Sequence, residues 1–225
     1  MSYNATGNSS SRRIATLLDE GSFVEIGGAV TARSTDFNMQ EKAAPSDGVI
    51  TGYGVIDGNL VYVYSQDAAV MGGSVGEMHA KKIENLYGMA MKMGAPVVGL
   101  IDCAGLRLQE GLDALNGFGR LASGVVPQIT AVFGTCGGGM AVASAMADFT
   151  FMEDKAKLFV NAPNAIAEND TDTSSAKFQS EEAGNVCMTG TEEDILAQIH
   201  TLISVLPANN EDDMSYDECA DDLNR

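Results

Sequence analysis

Pro96-Val97-Val98-Gly99-Leu100-Ile101 is an unbroken apolar run that leads into Asp102-Cys103-Ala104-Gly105-Leu106-Arg107-Leu108-Gln109-Glu110-Gly111. A run of this length without polar alternation describes a strand covered on both faces, as in a parallel sheet flanked by helices. The pattern recurs in Val125-Val126-Pro127-Gln128-Ile129-Thr130-Ala131-Val132-Phe133, which ends in Gly134-Thr135-Cys136-Gly137-Gly138-Gly139-Met140. Both runs finish in small residues ahead of an expected helix, so the chain is read as α/β layers.

Upstream, Val49–Ile56 and Leu60–Tyr64 flank Asp57-Gly58. This is a hairpin, because both central residues of its tight turn need positive φ. Ile83, Leu86, Tyr87 and Ala90 fall at helical spacing within 76–93, with Gly94 at the C-cap position. Leu112, Leu115 and Phe118 predict a further helix, Gly137 to Met146 a small-residue helix, and Phe149–Met152 and Leu158–Val160 two more strands. Ile195, Leu196, Ile199, Leu202, Ile203 and Leu206 form an apolar stripe, with Thr191 and Asp194 as its cap and Pro207 beyond its end. Residues 1–13 read as a frayed Ser/Asn-rich tail, 14–206 as one domain, and 207–225 as an acidic tail or linker with seven acids and one Arg. No internal repeat is found.

Composition narrows the function. The 225 residues are 45% apolar and carry a net charge of −18, with nine basic against thirteen acidic residues in 1–135 and four against eighteen in 136–225. That balance argues against a nucleic-acid partner and against contact with an anionic membrane. Cys103, Cys136, Cys187 and Cys219 are widely spaced, with neither a zinc-ribbon spacing nor a disulfide framework. No metal is expected. The polar start lacks an apolar leader and no run reaches the ~18 apolar residues of a membrane span, so the chain is expected to be cytoplasmic.

The two strand-to-helix junctions are the candidate chemistry. Such a junction exposes backbone N–H groups at the positive end of a helix dipole, and two of them face to face can hold an oxyanion. Tight helix packing or a dinucleotide-type phosphate turn are the alternatives, although the glycine spacing does not match the dinucleotide pattern. A third cluster, Ser65 to Lys82, holds Gln66, Gly72, Gly73 and Ser74. Its glycines can wrap a nucleotide-like ligand, with Lys81 and Lys82 toward phosphates. His79 reads as structural and His200 as a surface residue. A Ser–His–acid triad has no support from spacing.

These clusters also carry a resemblance. Asp47-Gly48-Val49-Ile50-Thr51-Gly52-Tyr53-Gly54, the Gly72 to Lys82 block, Arg107-Leu108-Gln109-Glu110-Gly111, Ala122-Ser123-Gly124-Val125-Val126-Pro127-Gln128 and Leu206-Pro207-Ala208-Asn209-Asn210 occur in this order. The chain thereby resembles the N-terminal domain of the carboxyltransferase subunit of biotin-dependent acyl-CoA carboxylases and decarboxylases. The resemblance implies a crotonase (ClpP)-like spiral of ββα units. It also implies an enolate held by Ala104, Gly105, Gly138 and Gly139, with acyl-CoA bound near Ser65, Gln66, Gly72, Gly73, Ser74, Lys81 and Arg107. A coenzyme A thioester is then the substrate. Biotin comes on a biotin carboxyl carrier protein, a carboxyltransferase C-terminal domain completes the site, and the assembly is a homo-oligomer.

Relatives carry Gly-Gly-Ala-Arg where this chain has Ala104-Gly105-Leu106-Arg107, so the first pocket is expected to differ in shape. They also hold extra residues after the position of Arg120 and near Asp154 and Ala167, read as omitted loops, and they continue beyond a segment like Asp221–Arg225. The competing readings are a stand-alone crotonase-type hydratase or thioesterase, a non-catalytic assembly module, and a nicotinamide-dependent oxidoreductase.

Overall fold

A computed structural model describes residues 7–33, 37–38, 41, 44–118, 126–165 and 170–209. In chain order the elements are α1 (Ser9–Leu17), β1 (Val24–Ile26), β2 (Val49–Ile56), β3 (Asn59–Gln66), α2 (Glu77–Met93), β4 (Val97–Cys103), α3 (Gly111–Phe118) and β5 (Gln128–Gly137). They continue as α4 (Gly139–Ala145), β6 (Phe149–Glu153), β7 (Lys157–Phe159), α5 (Ala176–Glu181), β8 (Met188–Gly190) and α6 (Glu192–Val205). The strands form one eight-stranded sheet in the order β1-β2-β3-β4-β5-β6-β8, with β7 on β5. β1 to β3 pair antiparallel, and from β3 onward every pairing is parallel.

The central strands are covered on both sides. Tyr62 and Tyr64 of β3 and Val97 and Ile101 of β4 point to one face, where Ile83, Leu86 and Ala90 of α2 cover them. Val61, Val63, Val98 and Leu100 point to the other, against Ile14 and Leu17 of α1 and Ile195, Ile199 and Ile203 of α6. Alternation within an all-apolar run is what a two-sided sheet requires. Gly99 is part of the same fit, since a Cβ there would overlap the Tyr64 ring.

The hairpin turns at Asp57 (φ 50°) and Gly58 (φ 80°), and Asp19 clamps it by accepting both turn N–H groups at 3.2 Å. Gly94 closes α2 in the left-handed conformation (φ 63°, ψ 41°). Thr191 and Asp194 cap α6 reciprocally. Among the described residues no helix is long and apolar enough to cross a membrane.

Several expectations are corrected. Ser9 to Arg13, assigned to a frayed tail, form the first turns of α1, with Asn8 accepting from the Ser11 N–H and with Ser10 and Arg13 buried. At the other end Asn209 Nδ2 donates to Gly94 O at 2.7 Å. On α3, Leu112 is 74% and Leu115 53% exposed. The helix packs through small residues instead, with Ala114 buried and Gly117 so close to Ala80 that a Cβ would overlap it. Gly137 belongs to β5 rather than to the following helix. Strands β1 and β8 and helix α5 were not expected; each is six residues or shorter. Arg120, Ala122 to Val125, Ala167 and Cys219 lie outside the described residues.

Candidate functional site

Parallel pairing of β4 with β5 brings their C-terminal ends side by side, with Cys103 opposite Cys136. The turns that follow touch. A Cβ on Gly105 would sit 3.4 Å from Gly137 O, one on Gly137 3.0 Å from Ala104 O, and one on Gly72 3.4 Å from the Ala104 Cβ. Three glycine-bearing turns, at 72–74, 104–105 and 137–139, therefore meet at one end of the sheet, where ligands gather in parallel α/β folds.

Accounting for the backbone donors separates the four expected oxyanion residues. Ala104 N–H is spent on Gly72 O (2.9 Å) and Gly138 N–H on Phe159 O (3.0 Å). Gly105 N–H faces the Cys103 sulfur at 3.3 Å, a weak acceptor. Gly139, exposed at the first position of α4, has no acceptor for its N–H among the described residues. Gly138 is the hinge that presents it, at φ 59° and ψ −129°, a conformation hostile to side chains.

The expected acyl-CoA residues divide as sharply. Arg107 is fully buried: Nη1 donates to Asp47 Oδ1 (2.5 Å) and Glu110 Oε1 (2.8 Å), Nη2 to Ser74 O (2.8 Å), and Nε to Ser74 Oγ (3.4 Å). The two carboxylates cap α2 in turn, Glu110 accepting from Glu77 N–H (2.5 Å) and Asp47 from His79 N–H (2.7 Å). Arg107 is thus an internal strut rather than a ligand contact. Burial opposes its charge, yet Asp47 and Glu110 outweigh burial and raise its pKa, while burial keeps the Asp47 carboxyl above its ordinary range.

Ser65, Gln66, Gly73 and Ser74 are likewise buried beneath the turns, whereas Gly72 is exposed. His79 is structural, as read: Nδ1–H donates to Asp47 O (2.9 Å), so Nε2 accepts from Gln66 Nε2 (3.1 Å), and burial holds its pKa down at about 3. Lys82 cannot serve a phosphate, because its ammonium donates inward to Ser46 O, Ser46 Oγ and Val49 O. Lys81 stays in solvent, paired with Glu77 at 2.6 Å. The carboxylate caps on α2 also remove that helix end as an anion site.

Burial raises the Cys103 thiol to about 11 and pushes Cys136 upward too, so neither acts as a nucleophile or base near neutral pH. Asp19, Asp57 and His200 set three donor atoms within 4.8 Å of one another, but at the hairpin end of the sheet. There Asp19 is committed to the turn.

Comparison with known proteins supplies the frame. Residues 3–225 match the carboxyl transferase domain. The chain belongs to that family. It is 43% identical over 236 residues to the methylmalonyl-CoA decarboxylase α subunit of Propionigenium modestum, covering 98% of this chain and 46% of that one. It is 44% identical over 216 residues to the propionyl-CoA carboxylase β chain of Roseobacter denitrificans, covering 88% and 42%. Among solved structures it superposes on transcarboxylase 12S, a hexamer crystallised with hydrolysed methylmalonyl-CoA, with a TM-score of 0.90, 35% identity and coverage of 95% of this chain and 45% of that one.

The chain spans less than half the length of these relatives. The fold is the crotonase-type α/β arrangement expected of a carboxyl transferase domain, with β2-β3-α2 and β6-β7-α5 as ββα units. Sequence reasoning missed Asp47 and Glu110, which lie 60 and 3 residues from Arg107 and declare themselves only through contact. It also missed Asp102 and Arg13.

Proposed function

We propose that this chain is the acyl-CoA-binding half of a biotin-dependent carboxyltransferase. The observation that carries the reading is the unspent Gly139 N–H, presented by Gly138 where β4 and β5 end. Removing the α-proton of a thioester places negative charge on its carbonyl oxygen, and a donor already fixed in place is worth ~3 kcal/mol there. The exposed Gly72 and Ala104 edges form the wall beside that oxygen, and the absence of a Cβ at Gly139 lets the thioester approach the backbone. Carboxybiotin, delivered on a carrier protein, supplies or accepts the carboxyl group at the α-carbon. A C-terminal domain closes the site, and the assembly is an oligomer. The names of the relatives favour propionyl- and methylmalonyl-CoA as the substrate pair.

A hydratase reading needs free carboxylates at the turns. Glu110 is committed to Arg107 and the Glu77 N–H, and Asp102 to the Thr135 N–H, which disfavours it.

Calorimetric titration of the assembled enzyme, and then of this chain alone, against propionyl-CoA, methylmalonyl-CoA, free CoA and NAD tests the proposal. Binding of the acyl-CoAs in preference to NAD is expected. Binding of NAD alone, or no acyl-CoA binding even in the assembly, would overturn it.

A further inference from the structure

Strand β5 changes neighbours part-way along. Ile129–Val132 pair with β6, whereas Thr135–Gly137 pair with β7. On its other side Ile101 lies opposite Val132 but Cys103 lies opposite Cys136. One residue of β4, Asp102, therefore faces three of β5, namely Phe133, Gly134 and Thr135. Such a bulge interrupts the ladder and redirects the strand, and it leaves backbone donors without strand partners.

Asp102 repairs the gap, Oδ1 accepting from the Thr135 N–H at 3.1 Å. Gly134 makes room for it, since a Cβ there would overlap that oxygen; its φ is not positive, so the position requires small size and not glycine's freedom. Arg13 of α1 closes the device from behind. Its guanidinium carbon lies 4.5 Å from the Phe133 ring centroid, Nη1 is 3.9 Å from Asp102 Oδ2, and Nε donates to Glu192 Oε2 at 2.9 Å. Nη1 is buried without a hydrogen-bond partner, so its tie to Asp102 is ionic.

We infer that Asp102, held by Arg13, is a positioning residue for the Gly137–Gly139 turn. By pinning the bulge, it sets the direction of the last three residues of β5 and with them the aim of the Gly139 N–H. The inference rests on the oxyanion reading of that turn, because aim matters only where charge develops.

The test compares the assembled enzyme carrying Asp102→Asn, Asp102→Ala, Gly134→Ala, and Asp102→Ala with Gly134→Ala. Misplacing a donor is expected to lower kcat by about tenfold or more in Asp102→Ala while the KM for acyl-CoA changes little. Asp102→Asn, which keeps an oxygen for Thr135, recovers most of that loss. Gly134→Ala alone resembles Asp102→Ala, and the double variant is no worse than Asp102→Ala, because the added methyl enters space the carboxylate has left. An unchanged kcat in Asp102→Ala, an Asn variant as impaired as the Ala variant, or additive losses in the double variant would each overturn the inference. Hydrogen exchange across 133–139 without substrate separates the two readings. If the wild-type enzyme turned over no acyl-CoA, the function proposal would fail, and faster exchange at Thr135 in the Ala than in the Asn variant would still uphold the pinning.

Discussion

The turn after β4 and the turn after β5 are built from the same small residues and lie in contact, but they are supported in opposite ways. Behind Ala104-Gly105 stands a sealed cluster of Arg107, Asp47 and Glu110, and the Ala104 N–H is consumed by Gly72 O. Behind Gly138-Gly139 there is a bulge bridged by one carboxylate, and the Gly139 N–H has no acceptor among the described residues. In the proposed function the first turn is a wall and the second a donor. Glycine content alone cannot separate them; only the destinations of the backbone hydrogens do.

The largest expected effect tests the wall. Arg107→Ala strands two buried carboxylates and is expected to cost about 3–5 kcal/mol of stability, read as a lower urea midpoint. A loss under ~1 kcal/mol would mean that the cluster is not what supports the β4 turn. Next comes the donor. A Cβ on Gly138 meets nothing within 4 Å, so Gly138→Ala strains only the backbone. Carboxyl transfer by the assembled enzyme should fall by about a hundredfold while acyl-CoA still binds. Were Gly105→Ala to show the same split between rate and binding, the distinction between the turns would collapse.

His79 tests the wall through pH. Folded, its pKa is held down at about 3 against 6.5 unfolded, so between those values the unfolded chain takes up a proton that the folded chain excludes. The neutral ring's contribution is complete above pH 6.5 and is lost as pH falls, by about 2 kcal/mol at pH 5. Denaturant titrations at pH 7 and 5 should show a smaller drop in His79→Gln than in the wild type. The smallest effect belongs to Lys81. Exposed and paired with Glu77, it should leave stability within ~0.5 kcal/mol when replaced by Ala. If it also meets a CoA phosphate, acyl-CoA affinity should weaken about threefold, and only at low salt.

The contrast between the turns also explains what the sequence could and could not disclose. Val97–Ile101, the Asp57-Gly58 hairpin, Gly94 and the Thr191/Asp194 cap were legible because each is a local signal with one physical reading. The meeting of the two turns was legible too, since small residues after a buried strand mark a strand end. The roles were not. The resemblance alone put Arg107 at the acyl-CoA, and its two acids come from distant or unremarkable positions. Leu112 and Leu115 marked the helix but not its buried face, because Gly117 and Ala114 allow a closer approach to α2 than leucine would. Ser9 to Arg13 looked like a tail because the partners that bury Arg13 lie 89 and 179 residues away.

That last separation bears on how the chain is made. Helix α1 is synthesised before the strands it packs on, yet its Arg13 is answered by Glu192, among the last residues described. At ~5–20 residues per second, roughly 9 to 36 seconds pass between the synthesis of the two, which lie 179 residues apart. Over that interval α1 can rest Ile14 and Leu17 on Val61, Val63 and Val98 of the sheet, but it has no α6 beside it. The segment that braces the β5 turn is thus made well before its partner Glu192. Truncations ending before α6 should accumulate with this end of the molecule unlatched.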